Sequence, residues 1–179
     1  MRKLSIWVVG LLLVSMSAYA KDIDAGAFQI GGAANANYKS STIEIDGAPN
    51  SDVWQWAYDL DVSYYVIRNI GLGGFVRYAE TGVENKQIRS YSYGPMLTYN
   101  YSISEAMSLY AKGGLGFLSV NAISANLNGN EYMLGAGVRY FLTSSASLDM
   151  GVMYVKQSGD TKESDLSVQA GLSVFLGTK

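Results

Sequence analysis

Six charged residues lie inside otherwise apolar stretches of this 179-residue sequence, and they are the side chains best placed to do chemistry. They are Asp59, Asp61, Arg77, Lys112, Arg139 and Asp149. The chemistry open to them is narrow, because the sequence contains no His and no Cys. The ordinary Ser/His/Asp arrangement, a cysteine nucleophile and the usual zinc sites are therefore excluded. What remains is ion pairing, since a carboxylate removed from water needs a cation beside it.

The stretch DVWQWAYDLDVSYYV (52–66) indicates which element positions such residues. Its even positions from 54 to 64 carry two tryptophans, two tyrosines, a leucine and a valine, whereas the odd positions between them are mostly polar. A period of two places successive side chains on opposite faces, so the stretch is predicted to be a strand with one apolar and one polar face. Asp59 and Asp61 belong to the polar face.

The same alternation recurs along the chain and predicts eight strands, at 25–38, 52–66, 70–78, 89–101, 109–117, 132–140, 148–154 and 166–176. Each is about as long as a tilted strand needs to be to cross a bilayer. Short connections alternate with longer polar ones, which is typical of an outer-membrane barrel. The longer ones are 39–51, 79–88, 119–129 and 156–165. We therefore predict an all-β fold, a closed antiparallel eight-stranded up-and-down transmembrane β-barrel, with a soluble lipocalin-like barrel as the alternative.

The first twenty residues are predicted to be a cleaved signal peptide. A basic start precedes an apolar run at Ile6–Val14, too short to span a bilayer, and Ala18-Tyr19-Ala20 is a small-x-small cleavage site. We expect residues 1–20 to be removed and residues 21–179 to form one outer-membrane β-barrel domain. Removing Arg2 and Lys3 from 13 basic residues leaves 11 against 15 acidic ones, and this net charge of −4 argues against nucleic acid as a partner.

Aromatic residues of the apolar face sort by depth along the predicted strands. If the long connections face the cell exterior, one group falls near the outer rim and a smaller group near the inner rim. The outer group is Tyr38, Trp54, Trp56, Tyr78, Tyr91, Tyr93, Phe117, Tyr132 and Tyr154, and the inner group is Tyr64, Tyr99, Tyr101 and Tyr140. Aliphatic residues and glycine lie between them. Two aromatic girdles around an aliphatic band indicate a bilayer, because amphipathic rings prefer the headgroup level.

Glycine and proline give two further expectations. Glycines on the polar faces leave room for a few long polar side chains in the narrow lumen of an eight-stranded barrel. Pro95 lies within a predicted strand, although proline cannot donate a hydrogen bond to a neighbouring strand. We therefore expect a bulge or a missing hydrogen bond at Gly94-Pro95.

Four stretches resemble the strands of small eight-stranded outer-membrane proteins of the OmpA/OmpX type, and of the broader outer-membrane β-barrel domain family. They are GLGGFVRYAETG (71–82), SLYAKGGLGF (108–117), LGAGVRYFL (134–142) and DLSVQAGLSVFLG (165–177). The resemblance covers all the sequence after the predicted cleavage site and implies a location in the outer membrane of a Gram-negative cell. One departure is that the apolar ladder ends at Leu176, where such chains usually carry an aromatic residue.

The six charged residues are expected to form one network in the lumen. Facing residues of an antiparallel hairpin have a constant sum of numbers, which a turn centred on Arg68 sets at about 136 and a turn around Ser144 sets at about 288. These sums place Asp59 opposite Arg77, and Arg139 opposite Asp149. Lys112 would reach across the narrow lumen toward Asp61.

Three functions are compatible with such a barrel. The first is a structural or surface-interaction, adhesion-like role, with the lumen plugged by the polar network and with IEID (43–46) as a sheet edge open to a partner strand. The second is a narrow, porin-like pore for small solutes. The third and least favoured is an outer-membrane enzyme, since no paired carboxylates stand out at a mouth of the barrel.

The expected surroundings follow from the predicted location. Outer-membrane lipid and lipopolysaccharide are the expected neighbours, with Arg89 either a phosphate contact above the outer girdle or a solvated charge. A surface ligand would bind through the long connections, but no exposed aromatic or basic cluster identifies one. We expect a monomer and no cofactor, metal or catalytic residue.

Overall fold

The computed structural model describes residues 22–39, 53–83, 86–122, 125–160 and 163–177, and these form a closed barrel of eight antiparallel strands. The strands are β1 (Phe28–Lys39), β2 (Val53–Ile67), β3 (Ile70–Val83), β4 (Lys86–Ser104), β5 (Met107–Ala122), β6 (Ala125–Thr143), β7 (Ala146–Gly159) and β8 (Glu163–Leu176). Each strand pairs with its neighbour in sequence, and β1 pairs with β8 to close the sheet. In the described ranges, no helix has the length and apolar character needed to cross a membrane.

The predicted fold class and the number and order of strands are confirmed, but the predictions for three of the four long connections are wrong. Most of 79–88, 119–129 and 156–165 belongs to strands, whose pairing continues to Val83 opposite Lys86 and to Ala122 opposite Ala125. The sequence pattern ends earlier than the strands because both faces become polar above the apolar belt, while backbone pairing needs no apolar side chains. Most of the first connection, and the predicted signal peptide, lie outside the described residues.

The two faces of each strand are arranged with apolar side chains outward. Leu60 is 55% exposed, whereas the flanking Asp59 and Asp61 are 5% and 6% exposed. The same inversion holds on β8, where Val168 is outward and Gln169 is buried. A soluble barrel would bury the leucine and expose the acids, so the alternation describes a barrel whose solvent is hydrocarbon.

The aromatic residues of the predicted girdles point outward wherever their side chains are described. Trp56, Tyr64, Tyr91, Tyr93, Tyr99, Tyr101, Phe117, Tyr132 and Tyr154 are exposed, and Tyr78 and Tyr140 are half-buried. Two tilted ring pairs join neighbouring strands in the outer group, Tyr78 with Tyr91 at 5.0 Å and Tyr93 with Phe117 at 6.0 Å between centroids. The side chains of Tyr38 and Trp54 lie outside the described set.

The pairing of β4 with β5 is interrupted at Gly94 and Pro95. Tyr93 faces Phe117 and Met96 faces Gly114 in the same register, so the interruption is a loss of pairing without an inserted residue. The expected bulge is therefore absent, and the ladder pairing that is lost here agrees with the other alternative, a missing hydrogen bond. Gly94 allows a close backbone approach here, because a Cβ atom on it would lie 1.9 Å from the Leu115 carbonyl oxygen.

Residues 22–27 close the end of the barrel at which the short turns lie. Ile23 and Ala27 are completely buried and pack in one cluster with Tyr65, Phe141 and Phe175. Backbone hydrogen bonds run from Gly26 N to Tyr65 O and from Tyr65 N to Ala27 O. This segment therefore extends the sheet into the mouth and fills it with apolar side chains.

The turn residue Asn69 fastens this closing segment. It adopts a positive φ of 65°, which asparagine tolerates better than most residues, and its backbone N–H donates to Ile23 O. Its side chain accepts from Ile23 N at 2.9 Å and donates to Asp22 Oδ1 at 2.9 Å. Asp22 also accepts from Ser102 Oγ at 2.7 Å and forms an ion pair with Arg68.

We predict that the closing segment weakens in acid through Asp22. The hydrogen bond from the Asn69 side chain, followed by that from Ser102, lowers the pKa of Asp22 below 3.8. A lowered folded-state pKa means that the carboxylate stabilises the fold above the unfolded-state value, and that this contribution is lost as pH falls through the folded-state value. The free-energy difference between wild type and Asp22→Asn, measured by urea unfolding in vesicles, should therefore shrink between pH 7 and pH 3.

The matched control for this experiment is Asp24→Asn, which removes the same charge from an exposed side chain two residues away. Because the Asp24 side chain is exposed, this substitution should leave the free energy of unfolding at pH 7 close to the wild-type value. A difference between wild type and Asp22→Asn that does not change with pH would contradict the assigned role of the Asp22 carboxylate.

Candidate functional site: the charged interior of the barrel

The six charged residues predicted to face the lumen do so, each on an inward-facing position of its strand. Asp59 and Asp61 lie on β2, Arg77 on β3, Lys112 on β5, Arg139 on β6 and Asp149 on β7. All six side chains are nearly or completely enclosed, with exposed fractions between 2% and 13%. Charges held at such positions need partners inside the barrel, because water and lipid headgroups are out of reach.

Arg139 and Asp149 form the most complete pair of the interior. They face each other in the β6–β7 register, and Arg139 donates from Nε to Asp149 Oδ1 at 2.9 Å and from Nη2 to Oδ2 at 2.7 Å. This bidentate geometry is the strong form of an arginine–carboxylate contact. Asp149 also accepts from Ser147 Oγ at 2.9 Å and from Ser173 Oγ at 2.7 Å.

The guanidinium of Arg139 is held on its other sides as well. Nη1 donates to Asn100 Oδ1 at 2.6 Å. The rings of Phe175 and Tyr110 lie 4.9 Å and 5.3 Å from the guanidinium carbon, within range of cation–π attraction. Arg139 is therefore the residue around which the interior nearest the short turns is packed.

Asp61 and Lys112 join the same cluster through a glutamine. Lys112 Nζ lies 3.7 Å from Asp61 Oδ1, and Gln29 donates to Asp61 Oδ2 at 3.3 Å. The side-chain carbonyl oxygen of Gln29 accepts hydrogen bonds from the Tyr65 hydroxyl at 2.6 Å and from Arg139 Nη1 at 3.4 Å. Gln29 thus connects the two ion pairs. The lower cluster, as we name it, comprises Asp61, Lys112, Arg139, Asp149 and Gln29.

Asp59 and Arg77 form a second, looser pair. They face each other in the β2–β3 register, but Arg77 Nη1 is 3.7 Å from Asp59 Oδ1, which is too far for a hydrogen bond. Asn35 donates to the other carboxylate oxygen of Asp59. Among the described residues, no hydrogen bond or ion pair joins this pair to the lower cluster, and Asp59 Oδ1 and Arg77 Nη1 are buried without a hydrogen bond. The interior therefore holds two groups of charges where the sequence suggested one network.

Glu131 is an interior carboxylate that the sequence analysis did not identify. It is 1% exposed and accepts from Ser92 Oγ at 2.7 Å and from Gln157 Nε2 at 3.4 Å. The alternation of the strand could have identified Glu131, because residue 131 is an odd position of β6 and the odd positions of this strand face the lumen. The predicted strand began one residue later, at Tyr132, and so excluded it.

The cavity among the side chains of the lower cluster is small. The cavity in the lower cluster has a volume of about 10 Å³ and is bordered by Asp61, Lys112, Arg139 and Asp149. Such a volume holds about one water molecule at most. Apolar layers separate the polar ones along β7, where Met153 lies between Asp149 and Gln157 and packs with Phe75, Met96, Met133 and Val155.

The described residues offer no metal site. In these ranges of the chain, no three Asp or Glu side chains converge as ligands for an ion. The carboxylates of the interior instead contact arginine, lysine, serine and amide groups.

The sequence matches the family described as outer membrane protein beta-barrel domain over residues 6–173. The chain belongs to this family. No curated protein matches the sequence. The protein is therefore a β-barrel of the bacterial outer membrane, in which short turns face the periplasm and the opposite hairpins face the cell exterior.

Solved structures of other small barrels have the same fold. Neisserial surface protein A (NspA) is 18% identical with a TM-score of 0.60, and the match covers 86% of this chain and 98% of that one. The N-terminal barrel domain of Pseudomonas aeruginosa OprF is 14% identical with a TM-score of 0.55, covering 86% and 100%. The attachment invasion locus protein Ail of Yersinia pestis is 16% identical with a TM-score of 0.52, covering 86% and 100%.

We predict that the two ion pairs contribute unequally to stability. Arg139→Met leaves Asp149 charged and enclosed, which should cost about 3–5 kcal/mol of the free energy of unfolding. The coupling between Arg139→Met and Asp149→Asn should exceed the coupling between Arg77→Met and Asp59→Asn, because the second pair lacks a direct hydrogen bond. Double-mutant cycles read by urea unfolding in lipid vesicles measure both couplings.

The two cycles control for each other, since both remove one arginine and one aspartate from facing positions of a hairpin. Strictly additive effects at Arg139 and Asp149 would show that the bidentate pair does not couple. A larger coupling at Asp59 and Arg77 would reverse the assigned order.

Proposed function

We propose that this outer-membrane barrel is a structural, non-conducting scaffold with a plugged lumen that presents its exterior hairpins at the cell surface. The observation that carries the proposal is the lower cluster, in which Arg139 is held by Asp149, Asn100 and two aromatic rings. A side chain with this many partners does not move aside for a solute without breaking several contacts. We further propose that the protein is monomeric, with lipid and lipopolysaccharide as its neighbours.

A narrow pore is the alternative that the interior disfavours. Eight strands enclose a lumen that side chains just fill. An ion path would have to cross the lower cluster and two apolar layers, one around Phe175 and one around Met153. Partly hydrated ions pass such layers at a high cost, because buried charge without a partner is unfavourable.

A non-enzymatic role is part of the same proposal. The sequence lacks the His and Cys on which most hydrolytic sites depend. Asp61 and Asp149, which could serve as acids or bases, are paired with cations and nearly enclosed inside the barrel. Their positions support a structural role.

The purified protein should show no stable conductance steps in planar bilayers. Insertion is verified separately by a heat-modifiability gel, in which the folded barrel and the boiled chain migrate differently. An open porin added to the same bilayers shows that conducting barrels are detected. Reproducible single-channel steps from the protein itself would contradict the plugged lumen and favour the pore.

A surface-interaction role is the second candidate, and the length of the strands favours it. Paired strands continue beyond the aromatic residues of the outer rim, so that the hairpins of β3–β4 and β5–β6 stand as sheet above the apolar belt. Asn121, Asn128 and Asn130 are exposed on the outward face there. A paired ladder displays polar groups in fixed positions, which lowers the entropy lost on binding a partner.

Charge limits which surface ligands suit this chain. The similar barrel Ail has been crystallised with the heparin analogue sucrose octasulfate, with a TM-score of 0.55 to this chain. A polyanion is a poor ligand here, because the chain is acidic overall and Arg89, outward above the girdle, faces Glu80 in the β3–β4 register. We propose a neutral or basic partner for the hairpins, with Arg89 left as a local lipid-phosphate contact.

Deleting residues 41–50 from the connection between β1 and β2 tests the adhesion role. The deletion should abolish binding to cells or extracellular matrix while heat modifiability stays unchanged, because the described pairs of β1 with β2 and with β8 close the barrel without these residues. The control replaces residues 161–162, between β7 and β8, by two glycines and should retain binding. Unchanged binding after the deletion would remove this connection as the adhesive element.

A further inference from the structure

The outer wall of the barrel carries an apolar groove where β3, β4, β5 and β6 lie side by side. Its volume is about 590 Å³, and it opens outward, toward the surroundings of the barrel. We name it the wall groove. Its lining includes Pro95, Leu97, Gly113, Leu115, Tyr132 and Leu134. The groove lies on the face of the barrel wall opposite to the charged interior.

The groove exists because small residues stand in the outward row. Gly74 on β3 faces Pro95 on β4. Gly113 on β5 faces Leu97 on β4 at one side and Leu134 on β6 at the other. The interruption of pairing at Gly94-Pro95 falls at the same level. Leu115 and Leu134 project beside the small residues, 58% and 65% exposed, and form the walls.

The position of the groove in the membrane follows from the outward residues of β5 and β6. On β6 it lies at Tyr132 and Leu134, at the outer end of the apolar row that continues to Leu142. On β5 it lies at Gly113 and Leu115, from the middle of the row toward Phe117. The groove therefore begins at the outer girdle and slants to the middle of the belt, within the outer leaflet.

The medium around the groove determines what fills it. Water is excluded from hydrocarbon, and an empty hollow would forfeit dispersion contacts on its whole lining. Hydrophobic burial does not favour a protein surface over a lipid tail as the occupant, since lipid tails are as apolar as leucine. The shape of the groove therefore determines which of the two fits. A hollow between two projecting leucines fits one flexible chain better than the broad wall of a second barrel.

We propose that the wall groove is a binding site for one acyl chain of an outer-leaflet lipid. The groove is continuous with the apolar belt that contacts lipid all around the barrel, and Tyr132 stands at its outer end where a headgroup would lie. The bound chain packs along Gly113 and Pro95 between Leu115 and Leu134. The lipid held there exchanges more slowly than the lipid on the opposite wall.

Filling the groove with a side chain tests the proposal. In Gly113→Leu the added atoms occupy the hollow, and the nearest obstacle to a Cβ atom is the flexible end of Leu134, at 3.3 Å, so the barrel should fold. The matched control is Ala111→Leu, which enlarges an exposed residue on the same face of β5, two positions below the groove. Heat-modifiability gels verify folding of both variants.

The probe is phosphatidylcholine with a photoreactive diazirine midway along one acyl chain, mixed into phosphatidylcholine vesicles that contain the protein. After irradiation, mass spectrometry maps the labelled residues. Wild type and Ala111→Leu should be labelled more at Leu115 and Leu134 than at Val168, which is equally exposed on β8. In Gly113→Leu the excess labelling should be lost, falling to the level at Val168.

Two outcomes would overturn the proposal. Labelling of Leu115 and Leu134 that equals labelling of Val168 in wild type, or that persists in Gly113→Leu, would show no preferred chain in the groove. Energy transfer between donor-labelled and acceptor-labelled copies in dilute vesicles, abolished by Gly113→Leu and not by Ala111→Leu, would assign the groove to a second copy of this protein instead.

Discussion

Backbone hydrogen bonding in hydrocarbon is the constraint on which the rest of this barrel depends. A strand crossing a membrane must pair on both sides, because no water is present to satisfy its N–H and C=O groups. The pairing of β1 with β8 supplies the last partners and removes both sheet edges. Once the sheet is closed, its outer face must be apolar within the membrane, and polar side chains at that depth must point into a narrow lumen. The inverted alternation around Leu60 follows directly.

The narrow lumen then determines how the polar residues are used. Eight strands leave no room for bulk water, so charges such as Arg139 are stable there only with nearly all their hydrogen-bonding groups occupied. The lower cluster meets this condition through Asp149, Asn100 and Gln29. The upper pair of Asp59 and Arg77 meets it less well, since one oxygen and one nitrogen have no hydrogen bond. The two groups therefore differ in how rigidly they hold the wall.

The alternation of side chains along each strand and the constant sum of facing residue numbers in each hairpin were sufficient to predict much of this structure from sequence. Strand number and order, the inward direction of all six charges and the positions of Asp59 opposite Arg77 and of Arg139 opposite Asp149 depend only on period two and on short turns. Local geometry sets both, so a single sequence contains the information. The missing pairing at Pro95 was predictable for the same reason, because the lack of an N–H is a property of the residue itself.

Contacts across the lumen were not predictable in this way. Gln29 joins Asp61 to Arg139 from strands far apart in sequence, and such contacts depend on the tilt and stagger of the whole barrel. Packing of Ile23 into the periplasmic mouth depends on the same geometry. The upper parts of β3 to β8 were missed for a different reason, since above the membrane both faces of a strand meet water and the apolar signal disappears.

Interior charge also specifies the register of the sheet. If β2 slipped by one residue against β3, every side chain would change faces, and Asp59 and Asp61 would enter the lipid while Leu60 entered the lumen. Charges on the lipid face are costly near the middle of the bilayer. If the lumen were apolar, a one-residue slip would carry no such cost, because only apolar side chains would move from the lumen into the lipid. The ion pairs therefore contribute to selecting one barrel among its slipped alternatives, even where their net contribution to stability is small.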